Sequence, residues 1–216
     1  MAHGCPGATK SRWERDLGLQ IEDRDWNTCL EQVRRVSRNS RMKYTQFNYL
    51  HQCYLDPAKI AKMFGGTPKT CTRCNWTCAS FYHMVWECTT VGAFWNRVIS
   101  HINRTLNRDL PLSPIGCLLG VLKRQAGKKV GNRITDLELV VARKSIVKHW
   151  KSPLGPSYEG WVQEMGRWCR AEEELLIKEE RMGVRLQLLS PLWKEIVEAF
   201  ALAAEDNNPI ASEHES

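Results

Sequence analysis

Cys71 and Cys74 are two residues apart, and His83 and Cys88 follow, so that C-x2-C-x8-H-x4-C falls within eighteen residues. Three thiols and one imidazole in so short a span are four good ligands for zinc. The Cys pair grips a tetrahedral ion from a tight turn, while His83 and Cys88 sit on one face of a helical turn and close the site. With every coordination position filled by protein, such an ion is structural and activates no water. Cys78 competes for the first position, since Cys74-x3-Cys78 could replace Cys71 if the loop is held differently. Two other readings stand beside zinc. Free cysteine is among the most buried residue types, so the set is also what a core of buried Cys and His looks like. A nucleophilic Cys88 activated by His83 is the third, though no oxyanion-forming glycine motif accompanies it.

Helices have to position these residues. Residues 69–88 show neither helical nor strand period and read as a metal-organised loop feeding a short helix. Upstream, Trp26, Cys29, Leu30 and Val33 predict a helix over about 24–38, Tyr44 to Tyr54 a second, and Pro57 opens a third that Gly65-Gly66-Thr67-Pro68 ends. Downstream, Phe94, Trp95, Val98, Ile99, Ile102 and Leu106 form the clearest apolar stripe. The run Ile115 to Leu122 is apolar without a decisive period, Thr135 is the expected cap of a helix reaching Trp150, and Ser157 that of a long last helix carrying Trp161, Met165 and Trp168. Pro191 starts a short helix to about residue 204. The fold class is therefore mainly α, a bundle-like arrangement with an inserted knuckle loop and little or no sheet. Its expected parts are a disordered 1–11, a basic helical region 12–110 containing the knuckle, a helical region 111–204 and a disordered tail 205–216.

The 216 residues carry a net charge of +7, split unevenly: residues 1–150 hold 24 Lys and Arg against 11 Asp and Glu, residues 151–216 hold 7 against 13. A basic front portion draws phosphate through counterion release, and a solvated basic surface is the ordinary alternative. Nine Trp need either a core or a flat partner such as a base. The nine cysteines come with no apolar leader at residues 1–13, so reduced thiols and an intracellular chain, in nucleus or cytoplasm, are expected. Cys29, Cys53, Cys117 and Cys169 fall on or near apolar faces and read as core. No run of eighteen apolar residues exists to span a membrane, and no small-molecule site is evident.

The run Cys71-Thr-Arg-Cys-Asn-Trp-Thr-Cys-Ala-Ser-Phe-Tyr-His-Met-Val-Trp-Glu-Cys88, followed by Ala93-Phe-Trp95, resembles the C-terminal zinc-knuckle end of LINE-type (non-LTR) retrotransposon reverse transcriptase proteins. Further similar segments, in the same order, are Trp13-Glu-Arg-Asp-Leu-Gly18, Tyr54-Leu-Asp-Pro-Ala-Lys-Ile60, Leu110-Pro-Leu-Ser-Pro114 with Leu118-Leu-Gly120, and Ala142-Arg-Lys144 with His149-Trp-Lys-Ser-Pro153. The similarity runs over about residues 12–190. It departs from the family pattern at Thr72 for Trp, Asn75 for Gly and Thr89 for Pro. The resemblance implies Cys71, Cys74, His83 and Cys88 as Zn2+ ligands and binding of element RNA during target-primed reverse transcription.

On that basis a nucleic-acid-binding module for RNA or single-stranded DNA is expected. Arg73 would contact phosphate, and Trp76, Phe81 or Trp86 would stack on unpaired bases. Arg34, Arg35 and Arg38, and Lys128 and Lys129, would extend the contact. A retroelement polymerase is a further expected partner. The alternative is a protein-interaction or structural module, or an inactive relic of such an element. No enzyme is expected in these residues: a polymerase needs paired aspartates for two metal ions, and no Asp-Asp occurs.

Overall fold

Proline, asparagine, aspartate and serine start several of the helices, and three-four apolar stripes carry them inward. The computed structural model describes residues 6–35, 39–127, 129–181 and 200. Within them the order is α1 (Pro6–Leu17), α2 (Asp23–Arg35), α3 (Ser40–Leu50), α4 (Pro57–Met63), a π-helical turn (His83–Glu87), α5 (Thr89–Leu106), α6 (Pro114–Leu119), α7 (Lys129–Lys148) and α8 (Tyr158–Arg181). No described residue lies in a strand, so the fold is mainly α.

The side-chain caps are specific. Asn39 accepts from the Met42 N–H, Asp56 from Lys59, Ser113 from Gly116 and Ser157 from Gly160. Each satisfies an N–H that the first helical turn leaves without a partner. The run 115–122 resolves as α6, ended by Gly120 at φ +70°. Gln32 on α2 donates to the Gly120 carbonyl at 2.9 Å and lies where a Cβ at Gly120 would have to go. Glycine is required there twice over, by backbone conformation and by contact.

Three expectations need correction. From residue 6 onward the N-terminus is helical: Thr9 is buried with its hydroxyl 3.1 Å from His51 Nδ1, and Trp13 is fully enclosed, its indole N–H donating to the Leu50 carbonyl at 2.7 Å. Two side chains are too few to register as a stripe. Thr135 is no cap, because α7 begins at Lys129. Its hydroxyl back-bonds to the Gly131 carbonyl at 3.0 Å, as threonine inside a helix does. Cys53 is exposed, whereas Cys29, Cys117 and Cys169 are buried as expected. The helix expected over 191–204 and the tail 205–216 lie outside the described residues apart from Phe200, which packs on Trp161 and His101.

α7 is the centre of the core. Leu137, Val140, Val141 and Ile146 are buried along it, and α3, α5, α6 and α8 all pack against it, so residues from both sides of position 110 share one hydrophobic cluster. Three further buried tryptophans have their N–H groups satisfied, Trp95 by the Val85 carbonyl, Trp150 by Leu55 and Trp161 by Glu138. Large rings thereby contribute area without leaving a donor unpaired. Among the described residues no helix is long and apolar enough to cross a membrane.

Candidate metal centre

The loop between α4 and the π turn folds back on itself through its backbone. The Asn75 N–H donates to the Cys71 carbonyl, the Cys71 N–H to Trp76, and the Ala79 N–H to Lys69, all at 2.8 to 2.9 Å. The tight turn needs left-handed residues, supplied by Asn75 at φ +60° and Cys78 at φ +62°. Asparagine is among the non-glycine residues that accept this region most readily, so Asn75 suits the turn.

Five residues apart on an α-helix, His83 and Cys88 would point about 140° away from each other at 100° per residue. The π turn removes this conflict. The Cys88 N–H donates to the His83 carbonyl at 3.0 Å, an i to i+5 closure whose wider turn reduces that angle and brings the two side chains into one cluster. Ser80 supports it, its hydroxyl accepting from the His83 N–H at 3.1 Å.

Cys71 Sγ lies 3.9 Å from Cys88 Sγ, and Cys74 Sγ lies 3.3 Å from His83 Nε2. The four ligand atoms are all within 4.8 Å of one another, an arrangement that could hold a metal ion. Cys71, His83 and Cys88 are buried and Cys74 is half-buried. Cys78 is exposed and stands outside this group, whereas Cys71 lies within it. The far ring nitrogen, His83 Nδ1, faces the Glu87 carboxylate at 3.9 Å, the direction from which a ligating imidazole is usually oriented. Burial, then the nearby Arg73 charge, hold the His83 pKa below its usual value, which favours the neutral form a metal requires. Burial pushes the Cys88 thiol up, yet the N–H groups of Val91 and Thr90 at the start of α5, with the neighbouring Cys74 and Cys71, bring it below the usual value.

Arg73 is the residue whose role the sequence did not disclose. Its guanidinium is turned inward, donating to the Met84 carbonyl at 2.9 Å, to His149 at 2.9 Å and to Trp150 at 3.3 Å. It therefore satisfies the carbonyls that α7 leaves at its C-terminus and ties the loop to that helix. Burial lowers its pKa, while the thiols of Cys88 and Cys71 favour its charge. Gly155 at φ +71° lets the following turn press onto Arg73 and Thr90, where a Cβ would meet Thr90 at 2.9 Å. The expected phosphate contact at Arg73 is thus corrected to an internal one.

The other expected nucleic-acid residues divide. Trp76 is 60% exposed with its ring stacked on His83, centroids 6.1 Å apart. Trp86 is half-buried against Trp95, and Phe81 is buried among Trp13, Tyr49 and Trp150 rather than offered to a base. Arg34 and Arg35 are exposed on α2, Arg35 paired with Glu31. Arg38 and Lys128 lie outside the described residues, and Lys129 is the first residue of α7.

No family model matches the chain. The segments Trp13–Gly18, Tyr54–Ile60, 71–88 and His149–Pro153 are far apart in sequence but meet in space. Phe81 packs on Trp13 at 5.9 Å and Trp150 at 5.4 Å, Tyr54 lies 5.4 Å from Trp150, and the Ala58 N–H donates to the Ala79 carbonyl at 3.1 Å.

Proposed function

We propose that this chain is the zinc-knuckle, nucleic-acid-binding portion of a LINE-type retrotransposon reverse transcriptase protein. It binds RNA or single-stranded DNA and performs no polymerase or endonuclease chemistry with these residues. The observation that carries the reading is the ligand geometry. A tetrahedral Zn2+ with Zn–S bonds of about 2.3 Å holds its sulfurs about 3.8 Å apart. Cys71 and Cys88 are 3.9 Å apart and Cys74 and His83 3.3 Å, so the loop is shaped for one such ion. Three Cys and one His fill all four positions, which makes the ion structural. The meeting of four of the segments that carry the resemblance supports the retroelement assignment, and the exposed ring of Trp76 beside the knuckle supports binding of unpaired bases.

A second reading, a structural or docking module serving a retroelement polymerase, is favoured by one observation: Arg73 spends its charge on internal carbonyls. Salt dependence separates the two. Nucleic-acid binding by the purified chain, followed by fluorescence anisotropy on a labelled unstructured RNA, should weaken steeply between about 50 and 200 mM salt. A shallow dependence with micromolar or weaker affinity favours docking.

Arg73→Met keeps the stem and removes the fork. Zinc affinity, measured by competition with a chromophoric chelator, is expected to fall about 10- to 100-fold, as when an outer-shell partner is lost. Unchanged zinc affinity with weakened RNA binding would return Arg73 to the phosphate-contact role.

A further inference from the structure

A groove of about 300 Å3 runs between α1 and α4, walled by Arg12, Arg15, Lys59 and Lys62 and floored by Phe81, two residues before the ligand His83. Its two carboxylates are already engaged. Asp56 caps α4 and pairs with Lys59 at 3.2 Å, and Asp16 accepts from Gln52 at 2.8 Å. Four cations against two carboxylates leave the lining net positive. Arg15 and Lys62 are exposed, and neither side chain pairs with a described residue. Arg12, on the same wall, donates to the carbonyl of His51, where a row of rings begins. His51 packs on Phe47 at 4.2 Å, and Tyr44 stands one turn further back on the same face of α3. Tyr44 is 67% and Phe47 51% exposed, large rings that a core would have covered.

A cationic track continuous with flat, open rings is what a single nucleic-acid strand recognises: phosphates follow the charge, and bases stack on the rings without sequence preference. We infer that the α1–α4 groove carries the phosphodiester backbone of a single strand whose bases stack along Tyr44 and Phe47, leading the strand towards the knuckle. The inference rests on the nucleic-acid reading proposed above and names where the strand lies. An acidic polypeptide would use the cations and leave the rings idle. A duplex would leave its bases paired and unavailable to them.

The test uses the full chain with bound zinc and a labelled 20-nucleotide oligouridine, its affinity followed by anisotropy over a salt series. Arg15→Glu with Lys62→Glu should weaken binding at least tenfold and make the log-log salt slope shallower by about 1.4, two contacts at about 0.7 each. Tyr44→Ala with Phe47→Ala should weaken binding about tenfold or more and leave the slope unchanged. All four side chains are exposed, so unaltered melting curves should accompany both effects. Arg15→Gln with Lys62→Gln is the gentler second variant if charge reversal disturbs the fold. Wild-type protein that binds no oligouridine at any salt overturns the nucleic-acid reading and this inference with it. Wild-type binding that both groove variants retain, in affinity and slope, overturns the inference alone. Polyglutamate competing as well as oligouridine, or a duplex bound more tightly than the strand, also overturns it.

Discussion

Cys88→Ser is expected to lower the melting temperature by about 10–15 °C and to abolish zinc binding, while Cys78→Ser is expected to do neither. A structural zinc site is worth about 10–16 kcal/mol in small fingers that have little else to fold them. Here much of the scaffold is held by contacts that do not involve the four residues: Trp95 bonds the Val85 carbonyl, and α5 buries Val98, Ile99 and Ile102 against the core. The loss is therefore confined to the 69–88 loop and the ends it ties together, a cost of about 3–5 kcal/mol for a chain of this length. Cys71→Ser should match Cys88→Ser, because both sulfurs are fully buried and adjacent. Differential scanning calorimetry of the four proteins with and without chelator measures the effect. Equal melting curves for Cys78→Ser and Cys88→Ser would show that the ligand set is drawn wrongly.

Glu138→Gln is expected to stabilise the protein by about 2–5 kcal/mol at pH 8.5 and to change little at pH 5. Glu138 is fully buried on α7, and neither carboxylate oxygen bonds to a described residue. His101 Nε2 is 3.8 Å away, while its Nδ1 meets the Tyr158 hydroxyl at 2.7 Å. Burial pushes the Glu138 pKa up to about 8 against the lowering influence of Arg108. Burial and Arg104 bring His101 down to about 4. Burial thus favours the uncharged form of both groups. The sign for Glu138 follows from the two states. Below about 4.5 both hold the proton; between 4.5 and about 8 the unfolded chain has released it and the native protein has not, so stability falls as pH rises; above about 8 the whole penalty is in place. His101 acts at the other end, with stability lost as pH falls from 6.5 towards 4. Urea unfolding of wild type and Glu138→Gln at pH 5, 7 and 8.5 reads the difference directly. Parallel stability profiles would mean that a partner satisfies the carboxylate.

The Cys71, Cys74, His83 and Cys88 cluster was legible because residue types and spacing coincide: two Cys, a His and a third Cys fall within eighteen residues, and the fold brings all four together. The π turn that makes the spacing work was not, since nothing in His83-Met-Val-Trp-Glu87 distinguishes it from an α turn until the Cys88 N–H selects its acceptor. Long helices such as α5 and α8 showed through their stripes. α1 did not, because it buries little beyond Thr9 and Trp13. Arg73 looked like a phosphate ligand because it is a cation in a loop. Its real direction is set by the carbonyls of His149 and Trp150, more than seventy residues away, which no local pattern reveals.

Zinc stoichiometry by native mass spectrometry, on the purified chain beside His83→Ala and Cys88→Ser, tests the account where it is most exposed. One zinc per wild-type chain, absent from both variants together with RNA binding, is the predicted result. Wild-type protein of the bare polypeptide mass after purification in the presence of zinc would contradict it and reduce Cys71, Cys74, His83 and Cys88 to core packing.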